Sequence, residues 1–479
     1  MSGTPSVDRV RGGFLAHLDW WFGGGALGPV RRLAAATLVA VGPWIVFVLS
    51  LAIISISSAP LLGREGLEDL RLTVTYSFCV APLAAGPIGL AAAELARQSK
   101  EDNLGLPVFD IYGLALVLAG GTSAIIALTI AFAFGIPLSG MGLSFALLCS
   151  AAAMLWVCFA VLSAMKLFRP LIGAFLGGIL LSVIGTIAAV RLAPSVQLLT
   201  MCFSAGLISC VSQSLLSMRA WQSDEPSSFA EVRSLLLEEI WKRRMIGAGV
   251  TLALIGIWAD KWAFWLSPAG MRSAAGYLHY SRYDSVMFIA HLSMIPTFTA
   301  MLMIRETDLA RSFKAVQARL QERSNHSSVR RSVDVLTRVA WSGGGKILFI
   351  QATIAGMLVL TAPWIARNMS FDFEQFIVLR FALLAVFLYS ISYVACIFLL
   401  LCGRTRHFLI IQIVFVVANF ILSVIFIKTS GFTAYPLFIS SLIAAAIAWP
   451  VALQSLASYD YLFLLGENES LYALQRPGK

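Results

Sequence analysis

Apolar runs that carry no charge take up most of the chain. They cover 33–63, 72–93, 111–165, 170–190 and 192–218, and then 245–259, 285–304, 347–366, 381–403, 408–427 and 429–459. A helix needs about 20 apolar residues to cross a bilayer, so the runs read as single crossings, apart from 111–165. Gly135, Pro137 and Gly140 divide that run in two, since Pro and Gly punctuate a helix where the chain can turn. The pattern predicts an all-α integral membrane protein of 12 transmembrane helices, six on either side of a polar segment at 219–244. The layout is an arm at 1–32, a first lobe at 33–218, a linker helix at 219–244, a second lobe at 245–459 with a loop at 305–346, and a tail at 460–479.

The polar segments have patterns of their own. In the linker, Ser228-x-x-Glu231 reads as a capping box. Phe229, Val232, Leu236 and Ile240 follow at spacings of 3 and 4, an apolar stripe. Leu309, Phe313, Val316 and Leu320 repeat that spacing in the loop. Both stripes fit a helix resting on the membrane or on a lobe, and both fit a docking surface for a cytosolic partner. In the arm, Phe14, Leu15, Leu18, Trp21 and Phe22 alternate with Arg9, Arg11, His17 and Asp19. That is the pattern of a helix lying in the membrane interface.

Composition narrows the class. The 479 residues are 59% hydrophobic and 13% charged, with a mean hydropathy of +0.84, where a soluble domain carries about 25% charged residues. A soluble enzyme, a disordered chain and a secreted disulfide scaffold are excluded. The seven cysteines lie inside apolar runs and form no C-x-x-C pair, so they read as packing residues. The net charge of +10 points to topology rather than to nucleic acid. With the N-terminus in the cytoplasm, about three-quarters of the Lys and Arg fall on that side, which places both termini inside. Arg31-Arg32 precede a span with Gly42-Pro43-Trp44, and Lys242-Arg243-Arg244 precede one with Gly256-Ile257-Trp258. With six spans on each side, this favours a two-lobed transporter built from internal repeats.

No enzyme constellation stands out. Gly343-Gly344-Gly345-Lys346 lacks the outer Gly and the hydroxyl of a phosphate loop and precedes a spanning segment. The five histidines form no H-x-x-x-H pair, so neither a metal nor a cofactor is expected. Glu65, Glu68 and Asp69, with Arg64 and Arg71 beside them, read as a solvated outer loop. Polar groups within spans are the better candidates. Asp260-Lys261 sits near the outer end of the seventh span. Neighbours on a helix point about 100° apart, so each is expected to have a partner on another helix or to face a wet cavity. Arg305, Glu306 and Asp308 end the eighth span. His291 lies mid-span, as a proton relay or a hydrogen-bonded core residue. Gly42, Pro43, Pro82, Pro87 and Pro296 are candidate helix breaks, lining a mobile cavity or forming static kinks.

One stretch resembles a known family. Gly256-Ile257-Trp258-Ala259-Asp260-Lys261-Trp262-Ala263-Phe264-Trp265-Leu266-Ser267-Pro268 is similar to the G-I-W-x-D-K-W-x-F-W-x-S-P pattern of Pel exopolysaccharide transporters of the PelG type. Tyr283-Asp284-Ser285-Val286-Met287-Phe288-Ile289-Ala290-His291-Leu292 resembles the Y-D-x-x-M-F-x-A-Y-L that follows, with His291 in place of Tyr. Ile295-Pro296, Arg305-Glu306-Thr307-Asp308, Gly42-Pro43-Trp44 and Tyr76-Ser77-Phe78 continue the match. The resemblance implies a two-lobed, alternating-access member of the multidrug/oligosaccharidyl-lipid/polysaccharide exporter superfamily, with a MATE-like or flippase-like fold, in a bacterial inner membrane. It implies outward movement of an N-acetylhexosamine-rich polymer for biofilm matrix. The implied companions are a cytosolic UDP-sugar-dependent glycosyltransferase and a membrane receptor for cyclic di-GMP. In that frame Asp260, Lys261, Tyr283 and Asp284 guard the outer mouth, while Glu306 and Asp308 sit at the inner gate. Trp258, Trp262 and Trp265 suit sugar stacking, although interfacial aromatic belts have the same composition. Two rivals stay open: an ion-coupled exporter or flippase of small molecules or lipid-linked oligosaccharides, and a non-conducting scaffold that activates a synthase.

Overall fold

The structure, a computed structural model, describes residues 28–102, 105–222, 227–322 and 324–466. The interfacial helix expected in the first 22 residues and most of the 460–479 tail lie outside them. In chain order the helices are α1 Gly28–Asp102, α2 Val108–Phe134, α3 Leu143–Ala164, α4 Phe168–Leu192, α5 Val196–Met218, α6 Phe229–Lys242 and α7 Arg244–Trp265. A hairpin of β1 Met271–Arg272 and β2 Leu278–His279 follows. Then come α8 Ser281–Leu292, α9 Ile295–Ile304, α10 Ala310–Gln321, α11 His326–Asn368, α12 Phe373–Leu401, α13 Thr405–Thr429, α14 Tyr435–Ala457 and α15 Tyr459–Gly466. Among the described residues, ten helices are long and apolar enough to cross a membrane. One of them, Val48–Glu101, contains most of the first two expected spans. The fold is an all-α, multi-pass membrane fold.

The chain separates into two compact units, Gly42–Asp284 and Ser285–Lys479 with Met1–Val41. By contacts the boundary lies at Asp284, beyond the 219–244 linker at which the sequence reading divides the lobes.

In the unit Gly42–Asp284, α1 leaves helical geometry at Gly63 (φ 67°, ψ −177°), a conformation that glycine adopts without a Cβ penalty. The backbone stays helical through Pro82 and Pro87. The turn expected between 135 and 140 is present. Gly135 caps α2 in the left-handed region at φ 68°, and Gly140 follows at φ 85°. Helices α4 and α5 cross at Gly178, where an added Cβ would stand 2.7 Å from the Gly206 carbonyl oxygen. Helix α6 begins after Ser228 as expected, but the capping box does not form, and the Ser228 side chain makes no cap hydrogen bond. Ser228 is exposed, so water can serve the first-turn amides instead.

In the other unit, α11 runs unbroken for 43 residues. The Gly-Gly-Gly-Lys stretch is helix, and its glycines allow close packing. A Cβ on Gly343 would lie 2.9 Å from the Ile304 side chain, and one on Gly344 would lie 3.2 Å from the Phe398 ring. Gly345 faces open space. Helix α12 starts with a formed capping box, in which Asp372 accepts from the Gln375 amide at 2.8 Å and Gln375 accepts from the Asp372 amide at 3.2 Å. Inside the unit, Thr297 donates to Gln351 at 2.6 Å, which satisfies two fully buried polar groups. The Leu309, Phe313 and Val316 stripe is buried.

These glycine contacts predict a contrast. Gly343→Leu overpacks the α9–α11 seam and is expected to cost about 1–3 kcal/mol, read as a lower thermal midpoint in detergent. Gly345→Leu is expected to leave the midpoint unchanged.

Candidate functional site

Helix α7 sorts its residues by spacing. Trp258, Trp262 and Trp265 recur at intervals of 4 and 3, so they share one stripe, and Lys261 borders it. Trp258 and Trp262 are half-buried, and Trp265 is buried. Asp260 lies on the opposite side with Phe264 and is fully buried.

The Asp260-Lys261 pair departs from expectation. The Lys261 ammonium curls back to 3.6 Å from Asp260 Oδ1 and donates to the Ile257 carbonyl at 2.8 Å. The long alkyl stem lets it reach an adjacent residue although the two Cβ directions diverge. Its ammonium also stands 5.4 Å from the Trp258 ring centre, within cation–π range. The Tyr283 hydroxyl donates to Asp260 Oδ2 at 2.7 Å. Asp260 Oδ1 has no hydrogen-bond partner.

Asp284 forms the second node. The Trp265 indole N–H lies 3.0 Å from each of its carboxylate oxygens, and the Tyr280 amide donates to Oδ2 at 3.1 Å. These bonds tie the end of α7 to the start of α8.

Between them, residues 266–280 fold back over this end of the unit, and α1 holds them there. Tyr76 stacks on Trp265 with centroids 4.9 Å apart and meets Tyr277 at 5.1 Å. Its hydroxyl donates to the Leu278 carbonyl at 2.6 Å. Asp69 accepts from the Ala275 amide at 3.1 Å, and Glu68 stands 3.4 Å from His279. Arg272 donates to the Phe134 carbonyl at 2.6 Å, at the end of α2. Thr73 lies 3.2 Å from the Tyr277 hydroxyl. Burial pushes the Tyr277 phenol up from its ordinary range, so it stays protonated near neutrality.

Two sequence readings change here. Asp69 is buried rather than solvated, because the hairpin brings an amide to it. Tyr76, Tyr277 and His279 also join the site, although the sequence reading did not place them there. Tyr76 carried a signal in its match to the family pattern, whereas the hairpin residues carried none.

The candidates from His291 to Asp308 lie in the other unit. Asp308 is exposed and pairs with exposed Arg311 at 3.2 Å, a surface contact of small energetic weight. Arg305 is exposed, on the π-type turn Arg305–Leu309. The side chains of Glu306, Gly42 and Pro43 are outside the described residues. His291 is half-buried, with Nδ1 2.7 Å from the carbonyl of Met287 on its own helix. Pro296 stands in the first turn of α9, just past the break at 293–294. Among the described residues, no His, Cys, Asp and Glu side chains gather into a group that could hold a metal ion.

A family model matches residues 24–463, that of PelG, "Putative exopolysaccharide Exporter (EPS-E)". The chain belongs to the PelG family. A comparison with curated proteins finds no match. Among solved structures, a transporter of the MOP superfamily from Pyrococcus furiosus is similar at TM-score 0.63 and 16% identity, over 92% of this chain and 98% of that one. An outward-facing multidrug resistance transporter of the MATE family gives 0.61 and 15%, over 97% and 100%. A Vibrio cholerae MATE transporter in its bent form gives 0.60 and 14%, over 90% and 98%. At such identities the likeness establishes the fold, which is that of MOP-superfamily transporters.

The two carboxylates make a checkable claim. Trp265→Phe keeps an aromatic ring but removes the indole donor to Asp284, and Tyr283→Phe removes the donor to Asp260. Each is expected to cost about 1.5–3 kcal/mol, the range for a hydrogen bond to a charged group, read as a lower thermal midpoint. Trp258→Phe, which loses no such bond, serves as the comparison and should stay close to the parent.

Proposed function

We propose that this PelG-family chain moves an N-acetylhexosamine-rich exopolysaccharide outward across a bacterial inner membrane for biofilm matrix secretion. The observation that carries the reading is the family match over residues 24–463. The α7 cluster supports it: two half-buried indoles, Trp258 and Trp262, stand on one stripe beside the Lys261 ammonium. Indole faces suit the apolar faces of sugar rings, and a cation beside them suits hydroxyl and acetamido oxygens. The chain performs no bond chemistry in this reading. Polymer comes from a separate cytosolic UDP-sugar-dependent glycosyltransferase, with a cyclic-di-GMP receptor subunit beside it in the membrane. Both termini lie in the cytoplasm.

A second reading has one observation in its favour. Asp260 is fully buried and keeps an oxygen without a hydrogen bond, a place where an ion-coupled exporter or flippase could take up a cation or a proton.

The test is secretion by a strain that depends on this chain. Trp258→Ala with Trp262→Ala is expected to lower secreted polymer about tenfold, from roughly 0.5–1.5 kcal/mol per lost ring contact, while membrane abundance holds. Unchanged secretion sinks the stacking role. Liposomes holding the chain and its synthase separate conduction from scaffolding. Polymer accumulating in the lumen supports translocation, and polymer left outside supports a scaffold.

A further inference from the structure

Helix α6 divides its surface three ways. Val232, Leu236 and Glu239 are buried against the unit Gly42–Asp284. Next around the helix come Phe229, Leu237 and Trp241, which are 67%, 49% and 69% exposed. Arg233 falls between Phe229 and Leu237 on that apolar sector, by the 100° step of a helix. Glu231, Ser234, Glu238 and Lys242 fill the third sector and are exposed. A helix in a soluble protein needs two faces, one for the core and one for water. Three faces suit a helix that borders protein, hydrocarbon and water at once.

Its depth is set independently. Buried Glu239 pairs with Arg243, and Arg243 pairs with Glu94 at 2.7 Å. Glu94 also binds Arg97 at 2.6 Å. Glu94 and Arg97 stand in the last turns of Val48–Glu101, a helix apolar and long enough to cross a membrane. Helix α7 starts at Arg244, the residue after Arg243. The clamp therefore holds α6 at the level where hydrocarbon gives way to headgroups. There the Arg244 guanidinium lies 4.7 Å from the Trp241 ring centre and donates to the Trp241 carbonyl at 3.0 Å. An exposed indole with a guanidinium over it is a pairing that spans the acyl and phosphate layers.

We propose that α6 is a phospholipid-binding edge of the protein, with Phe229, Leu237 and Trp241 in the acyl region and Arg233 and Arg244 on anionic headgroup phosphates. The leaflet is the one on the side of Arg97 and Lys242. The lipid reading outweighs a docked protein because the apolar sector carries Arg233 within it, ends beside Arg244 at Trp241, and lies level with the end of a membrane-crossing helix. The proposal does not depend on what the transporter carries.

The full chain in nanodiscs tests it, with a nitroxide on Leu237→Cys or on Glu238→Cys and the unsubstituted chain labelled in parallel as background. Residue 237 is expected to collide with oxygen and to be shielded from a water-soluble nickel chelate, and residue 238 the reverse. Equal exposure of both to the chelate overturns the proposal, as does shielding of 237 from both reagents, the outcome expected of a protein contact. The headgroup part has its own readout, native mass spectrometry of protein extracted from mixed phosphatidylglycerol and phosphatidylcholine. Arg233→Gln with Arg244→Gln should lower retained phosphatidylglycerol relative to phosphatidylcholine, about fivefold per arginine. An unchanged ratio overturns it. Both arginines are exposed, so an unchanged thermal midpoint separates this effect from misfolding.

Discussion

Hydrocarbon offers no hydrogen bonds, so a polar group placed among membrane helices must find its partner within the protein. In the unit Gly42–Asp284 that constraint accounts for the least regular part of the fold. Asp260 is fully buried on α7, and an isolated carboxylate there would cost several kcal/mol. Lys261 reaches back to it, and Tyr283 donates from the start of the next helix. Asp284, one residue on, takes the Trp265 indole and the Tyr280 amide. The chain between Trp265 and Tyr280 must therefore return to the end of α7. It does so as a short hairpin whose free amides and carbonyls meet Asp69 and Tyr76.

A buried ion pair is not a stabilising device by itself, since well-packed apolar side chains of similar volume do as well or better. The hairpin already has the stacked Tyr76 and Trp265 rings to hold it. Placing a charged pair behind a stripe of half-buried indoles therefore adds cost without an evident gain in packing. That imbalance makes the α7 cluster the best candidate site in the molecule and separates it from Asp308, whose exposed pairing with Arg311 costs and contributes little.

The helices themselves were largely readable from the chain. Apolar runs have the length a bilayer demands, and Gly135 with Gly140 marks a turn that any helix would have to make there. The Gly343-Gly344-Gly345 run was readable as no phosphate loop, but the sequence left it in the 305–346 loop, and the structure makes it helix. Which glycine faces a neighbour depends on helix rotation, however, and only the packing against Ile304 and Phe398 shows it. The capping box at Ser228 illustrates the converse. The residue types were right and the helix started there, yet exposure to water left the side chain nothing to supply.

By itself the sequence determined the class of the protein, the positions of most of its long apolar helices and the stretch 256–308 in which its unusual residues gather. Those follow from local composition, because the membrane imposes one length and one polarity on every crossing. Only the tertiary structure decided who partners whom. The contact between Thr73 and Tyr277 joins residues 204 positions apart, and the one between Asp69 and the Ala275 amide joins residues 206 apart. Neither leaves a periodic trace, since a side chain meeting a distant side chain or backbone group depends on how whole helices pack rather than on its neighbours in the chain.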